Sequence, residues 1–331
     1  MAHGPLIDTH QHPIPEFYKR ALETAGIHGS GENPWAAWSI SAQLELMDKT
    51  GIAAAVNSIA SPGVYFGDLQ FAARLARECN EDSARTVSDY PDRFGAFAIL
   101  PLPDVAAAIR EAEYALDTLK LEGVCLLTHA GDRHLGQPEE DELYAELDRR
   151  NAVIFVHPLR NQAKNMPAYN YPSGMTELVL DTTRAIHNLL WNGTFGKYPR
   201  IRWIMPHGGG TVPFLIYRIG AMNNRPQVNK HLVGGTVANT LRRLYYDVAE
   251  ICAPAPLKSL LEIAEPSHIL FGSDFPFSRH ATPAKDVEST IAGFEAFGDW
   301  DVATRQGIES RNALGLFPRL AKCLNLKGPL R

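Results

Sequence analysis

The chain has 331 residues, 45% of them hydrophobic and 21% charged, and its formal net charge is −5. This globular composition supports a large core, and its mild acidity indicates neither a nucleic-acid partner nor a membrane-surface partner. The 4 cysteines are scattered without C-x-x-C spacing, and no apolar stretch is long enough to span a bilayer, so we expect a cytoplasmic protein with reduced thiols.

The first predicted strand begins at Leu6 and ends in two histidines one residue apart, His10 and His12. Side chains at positions i and i+2 of a strand lie on one face, so these imidazoles converge as two ligands of one metal ion would. A strand that merely happens to end in two histidines is the alternative at this point. A long loop over the site is predicted at 26–38.

Seven further apolar runs have the length of buried strands, and amphipathic stretches separate them. The predicted strands cover 52–59, 94–100, 123–127, 153–157, 200–205, 244–248 and 268–272. The predicted helices cover 41–49 with Ser41 as cap, 68–90, a segment capped by Asp104, 139–150, a segment capped by Asp181, and 257–264.

Strands that alternate with helices in this way predict an α/β fold, a single (β/α)8 TIM barrel domain over residues 1–331. The segment from Pro283 onward is predicted to form helices packed outside the barrel. A doubly wound open sheet is the alternative. It is disfavoured because no G-x-G-x-x-G motif or P-loop follows any predicted strand.

Five metal-competent residues fall at the predicted C-terminal ends of strands, which is the face where barrel enzymes keep their active sites. They are His10, His12, His157, His207 and Asp274. Three neutral imidazoles and one carboxylate form a standard zinc ligand set, with water or substrate completing it. The other histidines carry no such positional argument, and we expect solvated or packing roles for them; they are His3, His28, His129, His134, His187, His231, His268 and His280.

Four segments between Asp8 and Pro276 resemble the amidohydrolase superfamily, and they read D-T-H-Q-H, F-V-H-P, M-P-H-G-G-G and F-G-S-D-F-P in chain order. Within it they look like the branch that contains aminocarboxymuconate-semialdehyde decarboxylase. The flanking text near Trp38, at 91–95 and at 181–185 is most similar to 6-methylsalicylate decarboxylase-like members.

The resemblance implies that His10, His12, His157 and Asp274 bind one divalent metal per chain, zinc, with manganese as the alternative. His207 would then act as acid or base beside metal-bound water or substrate, and either His207 or Asp274 would deliver the proton. Dinuclear hydrolases of the superfamily use a carboxylated lysine at the end of strand four. This chain has Leu-Leu-Thr-His at 126–129, which favours a mononuclear site.

Arg218 matches a family arginine that binds the substrate carboxylate and can reach into a neighbouring subunit. A surface salt-bridge role is the equal alternative for this arginine. The resemblance therefore implies a homodimer that takes a small carboxylic acid as substrate.

The implied reaction is metal-dependent, non-oxidative decarboxylation of an aromatic (salicylate-type) or unsaturated carboxylic acid. A metal-dependent hydrolase of a lactone or related cyclic ester would use the same residues. A non-catalytic barrel with a structural metal is the third interpretation. It is disfavoured because a structural site has no use for an extra acid or base such as His207.

Overall fold

The structure, a computed structural model, describes residues 4–30, 33–160, 170–277 and 282–324. Its main sheet has 8 parallel strands that neighbour one another in chain order. They are β1 (Leu6–Gln11), β2 (Ile52–Asn57), β3 (Phe94–Ile99), β4 (Gly123–Leu127), β5 (Val153–His157), β6 (Arg202–Met205), β7 (Tyr245–Asp247) and β8 (Ile269–Leu270).

Hydrogen bonds between the last and first strands close this sheet. The Thr9 amide donates to Phe271 O, the Asp274 amide donates to His10 O, each over 2.9 Å, and Gln11 bridges Phe275 in parallel. The predicted eight-stranded barrel is therefore confirmed. The strands are short and apolar because both of their faces are buried, one by helices and one by the barrel interior.

Helices follow the strands in the alternation that the sequence predicts. They are α1 (Glu16–Thr24), α2 (Ile40–Thr50), α3 (Leu69–Asp89), α4 (Val105–Glu113), α5 (Asp141–Arg149), α6 (Glu177–Trp191), α7 (Thr194–Lys197), α8 (Val212–Ile219), α9 (Pro226–Asn229), α10 (Val237–Leu241), α11 (Pro254–Leu261), α12 (Pro283–Ala296), α13 (Val302–Gln306), α14 (Asn312–Leu316) and α15 (Pro318–Cys323). Two small antiparallel hairpins pair Gly29–Ser30 with Asn33–Pro34 and His129–Ala130 with Arg133–His134.

The predicted helix caps fare unevenly. Asp104 caps α4 as predicted, because its side chain accepts the Ala107 amide. Ser41 is wrong as a cap, since it lies inside α2 and the extended Ser39 accepts the first free amide instead. Asp181 is also wrong as a cap. It lies inside α6, which begins at Glu177 because its buried face continues to the N-terminal side of Asp181.

The C-terminal helices lie outside the strands, and the last two close one end of the barrel. Phe317 and Leu320 are buried in one cluster with Ile7 and Phe97 from the barrel interior. Arg319 donates to Pro91 O and Phe94 O, at the start of β3. This end is therefore the amino end of the strands, and it forms an apolar floor.

Helix α1, between β1 and the 26–38 loop, is absent from the prediction, which placed only a loop there. It buries Tyr18 and Leu22, four residues apart, on one helical face. In the ranges that the structure describes, no helix is both long and apolar enough to cross a bilayer.

Candidate metal centre

The carboxyl ends of the strands bring the four predicted ligands together. His10 lies in β1, His12 follows it, His157 ends β5, and Asp274 follows β8. The candidate ligand atoms of these four residues all lie within 4.8 Å of one another, and all four residues are buried. Positions that are 264 residues apart in sequence thus share one site because the barrel closes between β8 and β1.

Hydrogen bonds fix which ring nitrogen of each histidine is free. Each Nδ1 lies 2.9 Å from an oxygen that carries no hydrogen, which is Asp247 Oδ2 for His10, Ser58 O for His12 and Pro158 O for His157. Each Nδ1 therefore donates, and each Nε2 keeps its lone pair. His12 Nε2 and His10 Nε2 lie 3.1 and 3.3 Å from Asp274 Oδ1. Within the described ranges, His10 Nε2 and His157 Nε2 have no hydrogen-bond partner.

The charges in this cluster suit a cation. Burial lowers the pKa of His12 and holds the pKa of His157 well below its usual range, so both imidazoles stay neutral. Burial also opposes a charge on His10, but the carboxylates of Asp247 and Asp274 raise its pKa to about 10. Burial would raise the pKa of Asp274, yet the charge of His10 and hydrogen bonds from neighbouring histidines hold it well below normal. Neutral nitrogens around an ionised carboxylate fit a divalent metal.

His207 stands beside this cluster, in the turn after β6. Its Nε2 lies 3.4 Å from Asp274 Oδ2, and its backbone amide donates to Asp247 Oδ1. His207 has a φ of 51°, a left-handed conformation that side chains other than glycine rarely adopt. The three glycines after it also have positive φ, and a Cβ on Gly210 would lie 2.3 Å from Val179 O. The tight turn predicted behind His207 thus requires glycine.

Asp247 is a site residue that the sequence analysis missed. It ends β7, is fully buried, and holds both His10 and the His207 amide with its two carboxylate oxygens. Its signal was available, because an acidic residue at the end of a buried apolar strand needs a partner.

Asp8 anchors a second group of buried polar side chains that was missed. Its Oδ1 accepts the Ser273 amide, and its Oδ2 accepts Gln11 Nε2 over 2.6 Å. Gln43 Nε2 donates to Gln11 Oε1 over 2.6 Å, and Trp38 Nε1 donates to Gln43 Oε1 over 3.1 Å. Burial raises the pKa of Asp8 to about 6. We call Asp8, Gln11, Gln43 and Trp38 the amide chain; it connects β1 to the segment before α2.

Glu250 also reaches the site. Ligand atoms of Glu250, His207 and Asp274 lie within 4.8 Å of one another, and Glu250 has a φ of 57°. Nothing in its sequence neighbourhood marked it, because it lies in the loop after β7.

Arg218 is not brought to the four-ligand cluster. It lies exposed in the last turn of α8, and in the part of the chain that the structure describes it makes no hydrogen bond or ion pair. Two aromatic side chains of the same helix, Phe214 and Tyr217, are 84% and 93% exposed.

A cavity of about 1260 Å³ lies at the carboxyl face beside the cluster. Its wall includes Leu127, which pairs with His157 across β4 and β5, and Leu159, two residues beyond that histidine. Other wall residues are Leu100, Leu102, Tyr65, His129, His134 and Arg160. An apolar space with a few cationic or hydrogen-bonding groups suits a small aromatic acid.

A family model described as amidohydrolase matches residues 7–319. The chain belongs to the amidohydrolase family. This amidohydrolase is 34% identical over 332 residues to the 6-methylsalicylic acid decarboxylase of Penicillium expansum, which covers 96% of the chain and 98% of that protein. It is 35% identical over 335 residues to the 6-methylsalicylic acid decarboxylase of Aspergillus aculeatus, covering 96% and 97%.

Solved structures agree with the barrel. A crystal structure described as amidohydrolase II has a TM-score of 0.84 at 29% identity, covering 94% of this chain and 99% of that one. The dihydroxybenzoic acid decarboxylase of Polaromonas sp. JS666, solved with manganese and 2-nitroresorcinol, has a TM-score of 0.77 at 21% identity, covering 98% and 100%. At that identity the second likeness concerns the fold alone.

Proposed function

We propose that this amidohydrolase is a metal-dependent, non-oxidative decarboxylase of a salicylate-type aromatic acid. One observation carries the proposal. Three imidazoles, each with its Nε2 lone pair free, converge with Asp274 beside a cavity lined largely by leucines. Full-length similarity to two 6-methylsalicylic acid decarboxylases supports the same reaction class, a carboxy-lyase.

His10, His12, His157 and Asp274 would hold one divalent metal per chain. Three nitrogen donors and one oxygen donor favour zinc, with manganese as the alternative. When bound, the cation supplies Lewis acidity that neutralises the carboxylate and neighbouring hydroxyl of the acid. Asp247 keeps His10 oriented through its Nδ1 hydrogen bond, as a residue behind a metal ligand should.

The chain's own acid–base groups provide the proton. The ring carbon that carries the carboxylate must form a C–H bond as the C–C bond breaks, since the electron pair of that bond returns to the ring when CO₂ leaves. His207 Nε2 and Asp274 Oδ2, 3.4 Å apart, hold one proton between them, and this pair delivers it to the ring carbon.

We also propose a homodimer in which Arg218 binds the substrate carboxylate in the neighbouring subunit. The exposed Phe214 and Tyr217 support this, because two fully accessible aromatic rings on one helix suit a surface that a partner covers. Gel filtration with light scattering tests it; a monomer that retains full activity contradicts it.

Two broader proposals concern the whole chain. Residues 1–331 form one domain, which the pairing of β8 with β1 and the floor formed by α14 and α15 support. The protein acts in the cytoplasm, where its four free cysteines stay reduced.

The deciding experiment combines metal analysis with CO₂ release from 6-methylsalicylate and salicylate. We expect about one zinc or manganese per chain, loss of CO₂ release on chelation and recovery when metal is returned. His157→Ala should lose both metal and CO₂ release, while His187→Ala, outside the cluster, should keep both. Ring opening of a lactone without CO₂ release would replace the proposal with the hydrolase, and a protein without metal would overturn the metal centre.

A further inference from the structure

One wall of the cavity carries a group of residues that the proposed mechanism does not use. Asp181, on α6, is fully buried beneath the small hairpin that follows β4. Its Oδ2 accepts hydrogen bonds from Thr128 Oγ1 and from His129 Nδ1, the latter over 2.9 Å. The sequence analysis assigned Asp181 a capping role and His129 none.

The carboxylate fixes the state of the His129 ring. Burial alone would raise the pKa of Asp181, but the hydrogen bonds from His129 and Thr128 lower it, so the carboxylate remains ionised. Because an ionised carboxylate only accepts, His129 Nδ1 must carry the proton that forms this hydrogen bond. Within the described residues His129 Nε2 has no partner, and the ring lines the cavity with 16% of the side chain exposed.

A second imidazole supports the same conclusion about the ligand. His134 lies directly opposite His129 in the hairpin, and its Nδ1 is 3.9 Å from Asp181 Oδ1, beyond hydrogen-bond distance. Both rings line the cavity together with Arg160. Imidazoles held over a buried anion, with a guanidinium in the same wall, favour oxygen atoms of a ligand over cationic or purely apolar groups.

We propose that His129, positioned by Asp181, hydrogen-bonds through Nε2 to an oxygen substituent on the ring of the aromatic acid. This inference rests on the proposed function, in which the reacting carboxylate is held at the metal centre. One carboxylate cannot also fill the hydrogen bond offered at His129, whose ring lies in a different wall. Leu127 and Leu159, between the two sites, contact the apolar ring. His129 is thus a specificity residue, and Asp181 is a positioning residue.

The test compares salicylate with 2,3-, 2,4-, 2,5- and 2,6-dihydroxybenzoate, which differ from it by one ring hydroxyl. Both kcat/KM for CO₂ release and the Kd from calorimetry are measured for each acid on the metal-loaded protein. The wild type should prefer one dihydroxy acid over salicylate. His129→Phe should reduce that preference by about 10- to 100-fold, chiefly through KM and Kd, with salicylate itself little changed.

Two further variants separate recognition from structure. His129→Gln retains an N–H donor near the position of Nε2 and should recover much of the preference. His187→Gln changes a histidine outside the cavity and should leave the preference at the wild-type value. Thermal denaturation establishes that each variant is folded, and metal analysis that each still binds one metal.

Several results would overturn the proposal. They are an equal loss on all five acids, which indicates contact with the common carboxylate or a structural role, no change in His129→Phe, and a second metal equivalent that His129→Phe abolishes. If the wild type releases CO₂ from none of the acids, the proposed function fails. The Kd values then still decide the subsite, because a hydroxyl preference that His129→Phe removes supports it and unchanged Kd values contradict it.

Discussion

The two ends of the barrel are both fully buried, yet their chemistry is opposite. β1 contributes Ile7 to the apolar floor and His10 to the metal centre, and β5 contributes Phe155 and His157 in the same way. At the floor, burial itself stabilises the protein, since apolar area leaves water. At the carboxyl end, burial of charged and polar groups costs free energy that only ion pairs, hydrogen bonds or a cation can offset.

The difference teaches that a buried residue is not necessarily a stabilising one. Substitutions at the floor should therefore change folding with little effect on chemistry. Substitutions at the carboxyl end should change metal binding and catalysis with a smaller effect on folding.

Asp274→Ala should have the largest effect, because it removes a metal ligand and half of the proton-holding pair with His207. We expect CO₂ release to fall at least about a thousandfold, since metal and proton donation each contribute several kcal/mol to the barrel's chemistry. Metal analysis and turnover check it. A variant that keeps metal and full activity would place the site elsewhere.

Phe317→Ala should give the largest loss of stability. Its ring is fully buried and packs edge-on against Phe97, with ring centroids 5.7 Å apart. We expect a loss of about 3–5 kcal/mol in the free energy of unfolding, measured by denaturant titration. Turnover per folded molecule should stay near the wild-type value, and a large fall in kcat would mean that floor and metal centre are coupled.

Asp247→Asn should have an intermediate effect at the carboxyl end. The shape is kept, but the charge that orients His10 through its Nδ1 is lost. We expect metal affinity to fall about 10- to 100-fold, measured by competition with a chromogenic chelator. Unchanged affinity would show that packing alone orients His10.

Asp104→Ala should have the smallest effect, since it removes one helix cap far from the site. The side chain accepts the Ala107 amide over 3.0 Å at the start of α4. We expect a loss of about 1 kcal/mol in unfolding free energy and unchanged metal content. A larger loss would indicate that α4 supports the barrel more than its single cap suggests.

The sequence predicted the strands and the convergence of the ligands well, because both follow from short-range rules. Alternating buried strands specify the barrel, and barrel closure alone brings the ends of β1, β5 and β8 together. The roles of His10, His12, His157, Asp274, His207 and Arg218 in binding and catalysis stay predictions.

The misses share one physical cause, which is that their meaning depends on distant partners. Asp181 is a good capping residue by type, but its carboxylate faces a hairpin more than 50 residues earlier in the chain. Asp247 and Glu250 acquire their positions only when β7 is set beside β6 and β8. Helix α1 was overlooked because two prolines precede it and its buried face is only two side chains wide.

The amide chain has a single direction. Trp38 donates to Gln43, Gln43 to Gln11 and Gln11 to Asp8, and the last acceptor is a carboxylate that has no proton to return when it is ionised. Deamidation of Gln11 during ageing or storage would place two acids in contact and remove one donor from the sequence of hydrogen bonds. Long-lived preparations would therefore lose order around the segment that carries Trp38 before the barrel itself unfolds, and engineering there must exchange the whole chain of donors rather than one residue.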